Sequence, residues 1–186
     1  MARSQIICCT LAISGQEKLE AVRNNIDCLI VDEACQCIEP AVLIPFDLGP
    51  KRVILVGDQQ QLPATTFSEH ACQTNFSRSL FERLLQSGYD KTMLQIQYRM
   101  HQNIRMFPSR QFYDDRVQDH ESIARRSLSP PLAKILQLLG GRVIFFDIID
   151  SQEHAEDRSK CNADEAEFTN ALINLMAENN GSLKNL

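Results

Sequence analysis

The chain has 186 residues, 44% hydrophobic and 23% charged, a globular rather than disordered composition with room for one ordinary domain or two small ones. A formal net charge of −5 excludes a globally basic nucleic-acid module, so any such contact is local, and no apolar run approaches the roughly 18 residues that cross a bilayer. Seven cysteines without CxxC or Cys/His zinc spacing point to reduced, mostly buried thiols of an intracellular protein. In chain order, residues 5–11 predict a buried strand ended by the Ser14-Gly15 turn. Residues 16–24 predict a short helical or loop connection to a central strand at 26–31. There Ile26, Leu29, Ile30 and Val31 have the bounded, β-branched character of a fully buried strand, and the polar residues Asp32 and Glu33 begin where it leaves the sheet. Residues 40–48 predict a compact crossover. Lys51-Arg52 then lead into Val53-Ile54-Leu55-Val56, a second apolar strand that ends on Gly57-Asp58. Residues 77–87 predict a helix with Leu80, Phe81, Leu84 and Leu85 on one face, Ser77 as cap and Gly88 as stop.

A third strand is predicted at 93–96, running into Gln97-Tyr98-Arg99-Met100-His101, with short helical pieces over 104–113. Pro130-Pro131 open a short helix carrying Leu132, Ile135, Leu136 and Leu139, closed by glycine. Residues 143–149 predict another apolar strand and 150–158 a polar loop. Asn162 and Glu165 stand at capping-box spacing before a final helix that shares Phe168, Leu172, Leu175 and Met176 on a face.

Two parallel strands with the same ending place Asp32, Glu33 and residues 58–61 at one crevice beyond a carboxyl edge, where open α/β sheets bind ligands. One carboxylate there can hold a magnesium phosphate, usually through water, while its neighbour polarises an attacking water. An acidic helix start that complements the helix dipole is the plainer alternative. The turn from Gly57 to Thr65 offers Gln61, whose amide can donate to a phosphate oxygen and accept from a water at once; otherwise it is a polar loop closed by Pro63. Tyr98 has a face on which a base can stack. Arg99 has the guanidinium that stabilises charge in phosphoryl transfer, worth about 10³ to 10⁵ in rate. A half-buried tyrosine and a surface arginine are the alternatives for an isolated pair.

Taken together and in this order, Asp32-Glu33-Ala34-Cys35-Gln36, Gly57-Asp58-Gln59-Gln60-Gln61-Leu62-Pro63-Ala64-Thr65 and Gln97-Tyr98-Arg99-Met100-His101 resemble motifs II, III and IV of the superfamily 1 helicases. The nearest branch is the one containing senataxin and the nonsense-mediated-decay helicase. The likeness continues through Phe107-Pro108-Ser109, Phe112-Tyr113, Ile144-Phe145-Phe146-Asp147, residues 159–162 and Glu165-Ala166, nearly the whole chain. It implies an α/β fold, with parts of two RecA-like modules whose mostly parallel sheets are flanked by helices. Residues 1–90 would be the C-terminal part of the first module and 91–186 the N-terminal part of the second. It also implies ATP hydrolysis with Mg2+ between the modules, coupled to movement on single-stranded RNA or DNA, and RNA-processing or decay proteins as partners. Carried over by motif position, Asp32 would hold magnesium and Glu33 would activate the attacking water. Gln61 would read the γ-phosphate, with Asp58 supporting the same turn. Tyr98 would stack on adenine, Arg99 would be the arginine finger, and Thr10, in the segment 10–14, would touch the nucleic-acid backbone.

Two departures from the family pattern stand out. Gln102 occupies the position after the histidine where the family usually has proline, which could loosen the following turn. No Gly-x-x-x-x-Gly-Lys-Ser/Thr phosphate loop occurs in the 186 residues, and the family's C-terminal motifs, with a second arginine, are absent from them. The expectation is therefore a fragment of a helicase core, or an incomplete gene model, with open sheet edges and uncovered apolar faces. A non-catalytic RNA- or protein-binding module that keeps the helicase shape is one alternative. A metal-dependent phosphohydrolase is another, with His70 and His101 its only nearby extra ligands.

Overall fold

A computed structural model describes residues 4–128, 130–156 and 159–180. The chain divides into two compact units, Met1–Met93 and Leu94–Leu186.

In the first unit the strand expected at 5–11 is not formed. Residues 4–10 have no regular structure, Ile6 is 82% exposed, and the backbone instead turns into α1 (Leu11–Ser14). An apolar run becomes a strand only where a neighbouring edge takes up its N–H and C=O groups, and no described segment pairs with this one. A 3-10 turn, Glu17–Val22, follows. Strands β1 (Leu29–Val31) and β2 (Val53–Leu55) then pair in parallel, Leu29 opposite Val53 and Val31 opposite Leu55. They are joined by α2 (Glu39–Leu43), which has Pro40 in its first turn, and by a 3-10 turn, Ile44–Leu48, that ends at Gly49 with φ +68°. Only one face of this pair is buried: Val31 is enclosed, whereas Ile30 is 63% exposed and Ile54 also faces outward. The fully buried strands read from composition are thus half-buried among the described residues.

A short helix α3 (Glu69–Gln73) precedes α4 (Leu80–Gln86). Ser79 caps α4, its Oγ accepting from Glu82 N at 3.1 Å, so the cap expected at Ser77 lies two residues too early. Gly88, at φ +87°, closes the helix with Gly88 N donating to Leu85 O and Tyr89 N to Leu84 O, the left-handed stop that glycine supplies without a Cβ penalty. The core gathers Val31, Ala34, Val42 and Leu80, with Leu29, Phe46, Leu55, Phe81 and Leu84 packed around it. Arg83 joins α4 to α2 through a bidentate pair with Glu39, Nε to Oε2 at 2.7 Å and Nη2 to Oε1 at 2.8 Å, and this hydrogen bonding holds the Glu39 carboxyl below its ordinary range.

In the second unit β3 (Ile96–Gln97) pairs in parallel with β4 (Gln118–Asp119), a shorter and later strand than the one expected at 93–96. The expected helical pieces form one helix, α5 (Gln102–Phe112), which runs through Pro108. His101 caps it, Nδ1 accepting from Asn103 N at 3.3 Å, and Gln102 takes the first helical position. The turn is therefore not loosened by the missing proline. His101 has φ −66° and ψ 149°, the extended backbone that precedes proline readily, and the N–H of a first helical residue has no intrahelical partner. Gln102→Pro is accordingly expected to stabilise the chain by about 0.4–1 kcal/mol through the unfolded state, read as a higher urea midpoint at unchanged slope.

Helix α6 (Glu121–Ala124) follows β4, and α7 (Pro130–Leu138) ends where Gly140 takes φ +93° and Gly141 N donates to Leu136 O. The strand expected at 143–149 is absent. Phe145 is 88% exposed and the stretch has no pairing edge among the described residues, although Phe146 meets Phe168 at 4.9 Å between ring centroids. Part of the polar loop expected at 150–158 is instead β5 (Glu153–Glu156), antiparallel to β6 (Ser159–Asn162). Asn162 Oδ1 accepts from Glu165 N at 3.1 Å and so opens α8 (Ala163–Asn180). Among the described residues no helix is long and apolar enough to cross a membrane.

Candidate functional site

Polar turns close the parallel strands of each unit, two in the first and one, after β3, in the second. In the first, β1 delivers Asp32 and Glu33 into a tight corner: Asp32 Oδ1 accepts from Glu33 N at 3.0 Å, and Glu33 sits at φ 51° and ψ 37°, in the left-handed region. Glu33 Oε2 accepts from Gln36 Nε2 at 3.0 Å across the 3-10 turn Ala34–Gln36. The ladder continues past the strands, Val56 N donating to Val31 O and Ala34 N to Val56 O, both at 2.8 Å. This stitch presses the corner after β1 against the corner after β2. Gly57 lies in the seam, where a Cβ would stand 2.9 Å from Cys35 Sγ and 3.0 Å from Cys35 N.

Beyond Gly57 the second corner is held by one carboxylate. Asp58 Oδ1 accepts from Gln60 N and Oδ2 from Gln61 Nε2, each at 3.0 Å, while Gln61 N donates to Asp58 O at 3.2 Å. Cys35 is buried between the two corners, but the expectation of mostly buried thiols fails among the described cysteines, since Cys8, Cys9, Cys28 and Cys161 are exposed. Burial pushes the Cys35 thiol up to about 11, and the negative charges of Asp58, Glu82 and Glu33 push the same way, so the sulfur carries its proton at neutral pH. Asp32, Glu33 and Gln61 are exposed at the rim. Such an edge, rich in carboxylates, suits a cation bridged to an anionic substrate.

Among the described residues no group of three His, Cys, Asp or Glu converges as a metal site. Asp32 would therefore contribute one ligand beside water and substrate oxygens, as magnesium sites commonly have it. His70 and His101 join no cluster with the acids: the first lies on α3 and the second caps α5. Thr10 caps α1, its Oγ1 accepting from Ile13 N at 3.4 Å, and α1 packs on α2 and the 3-10 turn Ile44–Leu48.

In the second unit Tyr98 and Arg99 leave β3 on a turn organised by the amide of Gln97. Gln97 Oε1 accepts from Arg99 N at 2.8 Å and from Met100 N at 2.7 Å, and Nε2 donates to Met100 O at 2.7 Å and also to Asp119 Oδ1. Asp119 is in turn paired with Arg105, Nε to Oδ1 at 3.2 Å, and Arg105 Nη1 donates to Val117 O at 2.9 Å. Burial pushes the Asp119 carboxyl up, but the hydrogen bonds from Gln97 and Arg105 outweigh it and hold the group below its ordinary range. The Tyr98 ring packs on His120 and remains 56% exposed. The guanidinium of Arg99 has no hydrogen bond or ion pair among the described residues, whereas that of Arg126 bonds to the Tyr98 and Arg99 carbonyls.

Asp32, Glu33, Asp58 and Gln61 are thus assembled on one edge of the first unit, and Tyr98 and Arg99 on one turn of the second. The sequence reading assigned no part to Gln97, Arg105, Asp119, His120 or Arg126. Gln97 stands inside a quoted motif, and its long amide beside an exposed turn was the available signal. The other four had none.

Two family models, each described as an AAA domain, match residues 1–69 and 76–185. Among curated proteins the chain is similar to the probable helicase MAGATAMA 3 of Arabidopsis thaliana, 40% identical over 171 residues, which is 90% of this chain and 20% of that protein. It is 34% identical to the helicase sen1 of Schizosaccharomyces pombe over 96% of this chain and 10% of that protein. It is 36% identical to the ATP-dependent helicase NAM7 of Saccharomyces cerevisiae over 68% of this chain and 13% of that protein. The chain therefore spans a fifth or less of the length of these relatives.

Proposed function

The chain belongs to the superfamily 1 helicases, in the senataxin and nonsense-mediated-decay branch, and on that premise we propose that it contributes the hydrolytic edge and the base-stacking turn of an ATP-driven motor on single-stranded RNA or DNA. Residues 1–90 then correspond to part of the first RecA-like module and residues 91–186 to part of the second. RNA-processing or decay proteins are the fitting partners, inside the cell, nuclear or cytoplasmic.

The chemistry follows from the two corners. Glu33 accepts a proton from the water that attacks the γ-phosphorus, and ADP and phosphate leave. Gln61, fixed by Asp58, donates to a γ-phosphate oxygen and orients that water. Asp32 would hold magnesium together with water, and the ion would neutralise charge on the phosphate oxygens. Tyr98 stacks on adenine, and Arg99, with no partner among the described residues to give up, neutralises charge that develops on the transferred group. Thr10 is assigned to the nucleic-acid backbone, a contact its capping hydroxyl can share as a donor. The observation that carries this reading is the stitch from Ala34 N to Val56 O, which holds the Asp32-Glu33 corner beside the Asp58–Gln61 corner at the carboxyl ends of paired parallel strands.

The test is a titration of the 186-residue chain with ATP, with and without magnesium, beside an assay for phosphate release. Binding strengthened by magnesium is expected. Asp32→Asn removes that enhancement, and Tyr98→Ala weakens binding roughly tenfold, the scale of a lost aromatic stack. Because no glycine-rich phosphate loop is among these residues, release by this chain stays at background; magnesium-dependent release abolished by Glu33→Gln would contradict that. Failure to bind ATP, with RNA binding that ignores both ATP and Arg99→Ala, would replace the motor reading with that of a non-catalytic binding module.

A further inference from the structure

Strand β4 runs directly into α6, and the residues flanking that four-residue helix close on one and the same turn. Before it, the His120 ring lies 4.4 Å from the Tyr98 ring, tilted by 32°. After it, Arg126 donates from Nη2 to Tyr98 O at 2.6 Å and from Nη1 to Arg99 O at 2.9 Å, reaching residues 28 and 27 positions away in sequence. The strand register sets up the first contact: Gln97 stands opposite Asp119 and His120 N donates to Gln97 O at 3.0 Å, so the next residue on each strand is Tyr98 on one and His120 on the other.

A four-residue helix has no stability of its own. This one is fixed by Ile123, buried at 5% exposure, and by His120 Nδ1, which accepts from Ser122 N at 3.2 Å. The same bond fixes the His120 ring, because the nitrogen engaged in the cap sets the plane that faces Tyr98. Arg126 has no carboxylate partner among the described residues, and both of its terminal nitrogens go to the carbonyls of the turn. A planar two-pronged donor holds two adjacent carbonyls in a way a single ammonium cannot.

We infer that His120 and Arg126 are positioning residues, which grip the Tyr98-Arg99 turn so that Tyr98 offers one fixed open ring face to a nucleobase and Arg99 leaves the turn at a fixed point. The nucleobase rests on the function proposed above; the grip rests on the geometry alone. Fixing the turn before binding spares the ordering that association would otherwise require, so its loss weakens a stacked nucleotide by about three- to tenfold.

The grip is tested on the 186-residue chain by hydrogen exchange at the Arg99 and Met100 amides, both of which donate to Gln97 Oε1. In Arg126→Ala these amides are expected to exchange at least about tenfold faster, with α8 unchanged. Arg126→Lys, able to serve one carbonyl at a time, should fall between. His120→Asn keeps a capping acceptor but removes the ring, and is expected to accelerate the same amides. Wild-type exchange rates in Arg126→Ala and His120→Asn would overturn the inference. ADP titration supplies the second readout. His120→Asn is expected to weaken ADP in the wild-type background and to add nothing once Tyr98→Ala is present; equal weakening in both backgrounds would overturn the positioning role. If the wild-type chain binds no ADP, the nucleotide reading falls, and the exchange rates still decide the grip.

Discussion

Gln97→Leu is expected to destabilise the second unit by about 2–4 kcal/mol and to release the Tyr98-Arg99 turn, because one amide group makes four hydrogen bonds there, each with a typical net worth of about 0.5–1.5 kcal/mol. Leucine matches the volume and supplies none of them. It also strips a partner from Asp119, a half-buried carboxylate then left to Arg105 alone. Urea unfolding followed by amide exchange measures the loss. A midpoint corresponding to less than about 0.5 kcal/mol would show that other contacts hold the turn, since a change that small is what ordinary surface substitutions produce. Gln97→Glu separates acceptor from donor. It keeps oxygens for the Arg99 and Met100 amides but loses the donor to Met100 O and sets two carboxylates together, so it is expected to be less stable than wild type at neutral pH and to recover on acidification.

Gly57→Val is expected to be the most damaging single change in the first unit, at about 2–4 kcal/mol, the upper range for forcing atoms into a closely packed site. Gly57 is not among the glycines at positive φ, so the requirement is for space rather than for conformation. A Cβ would meet Cys35 Sγ at 2.9 Å, Cys35 N at 3.0 Å and Ala34 N at 3.3 Å, and two of these three are backbone that cannot swing aside. Relief would have to come from breaking the bond from Ala34 N to Val56 O, which separates the two corners. Gly57→Ala should show the same effect more weakly. Cys35→Ala in the Gly57→Ala background removes the sulfur contact and leaves the amide one, so partial recovery is expected by thermal unfolding. Full recovery would mean that the sulfur alone enforces glycine here.

The acid-bearing edge was legible in the sequence because it depends on short-range signals. Leu29–Val31 and Val53–Leu55 are brief apolar runs, each closed by polar residues, and a crossover of their length joins parallel strands. Helix stops were legible for a similar reason: Gly88 and Gly140 adopt the left-handed backbone that glycine makes cheap. Ser79 was harder, since Ser77 and Ser79 are equally good caps and the choice depends on which turn lets Leu80 reach the core. Residues 5–11 and 143–149 misled because strand-forming composition says nothing of whether an edge is available to pair with. His120 and Asp119 were illegible for a further reason. They reach Tyr98 and Gln97 through a two-residue strand pair, far too short to leave a periodic trace, and Arg126 reaches back across 27 residues with no pattern at all.

On the function proposed above, the left-handed backbone at Glu33 sets chemistry and conformation against each other at a single position. A long side chain in that region is disfavoured by about 1–2 kcal/mol, a penalty that glycine escapes and asparagine softens. Glu33→Gly would relieve that penalty but lose the bond from Gln36 Nε2, and on the function proposed above it would also discard the proton acceptor. These two folding effects oppose each other, so on that proposal a tolerance scan scored by yield would undervalue a side chain kept for proton transfer.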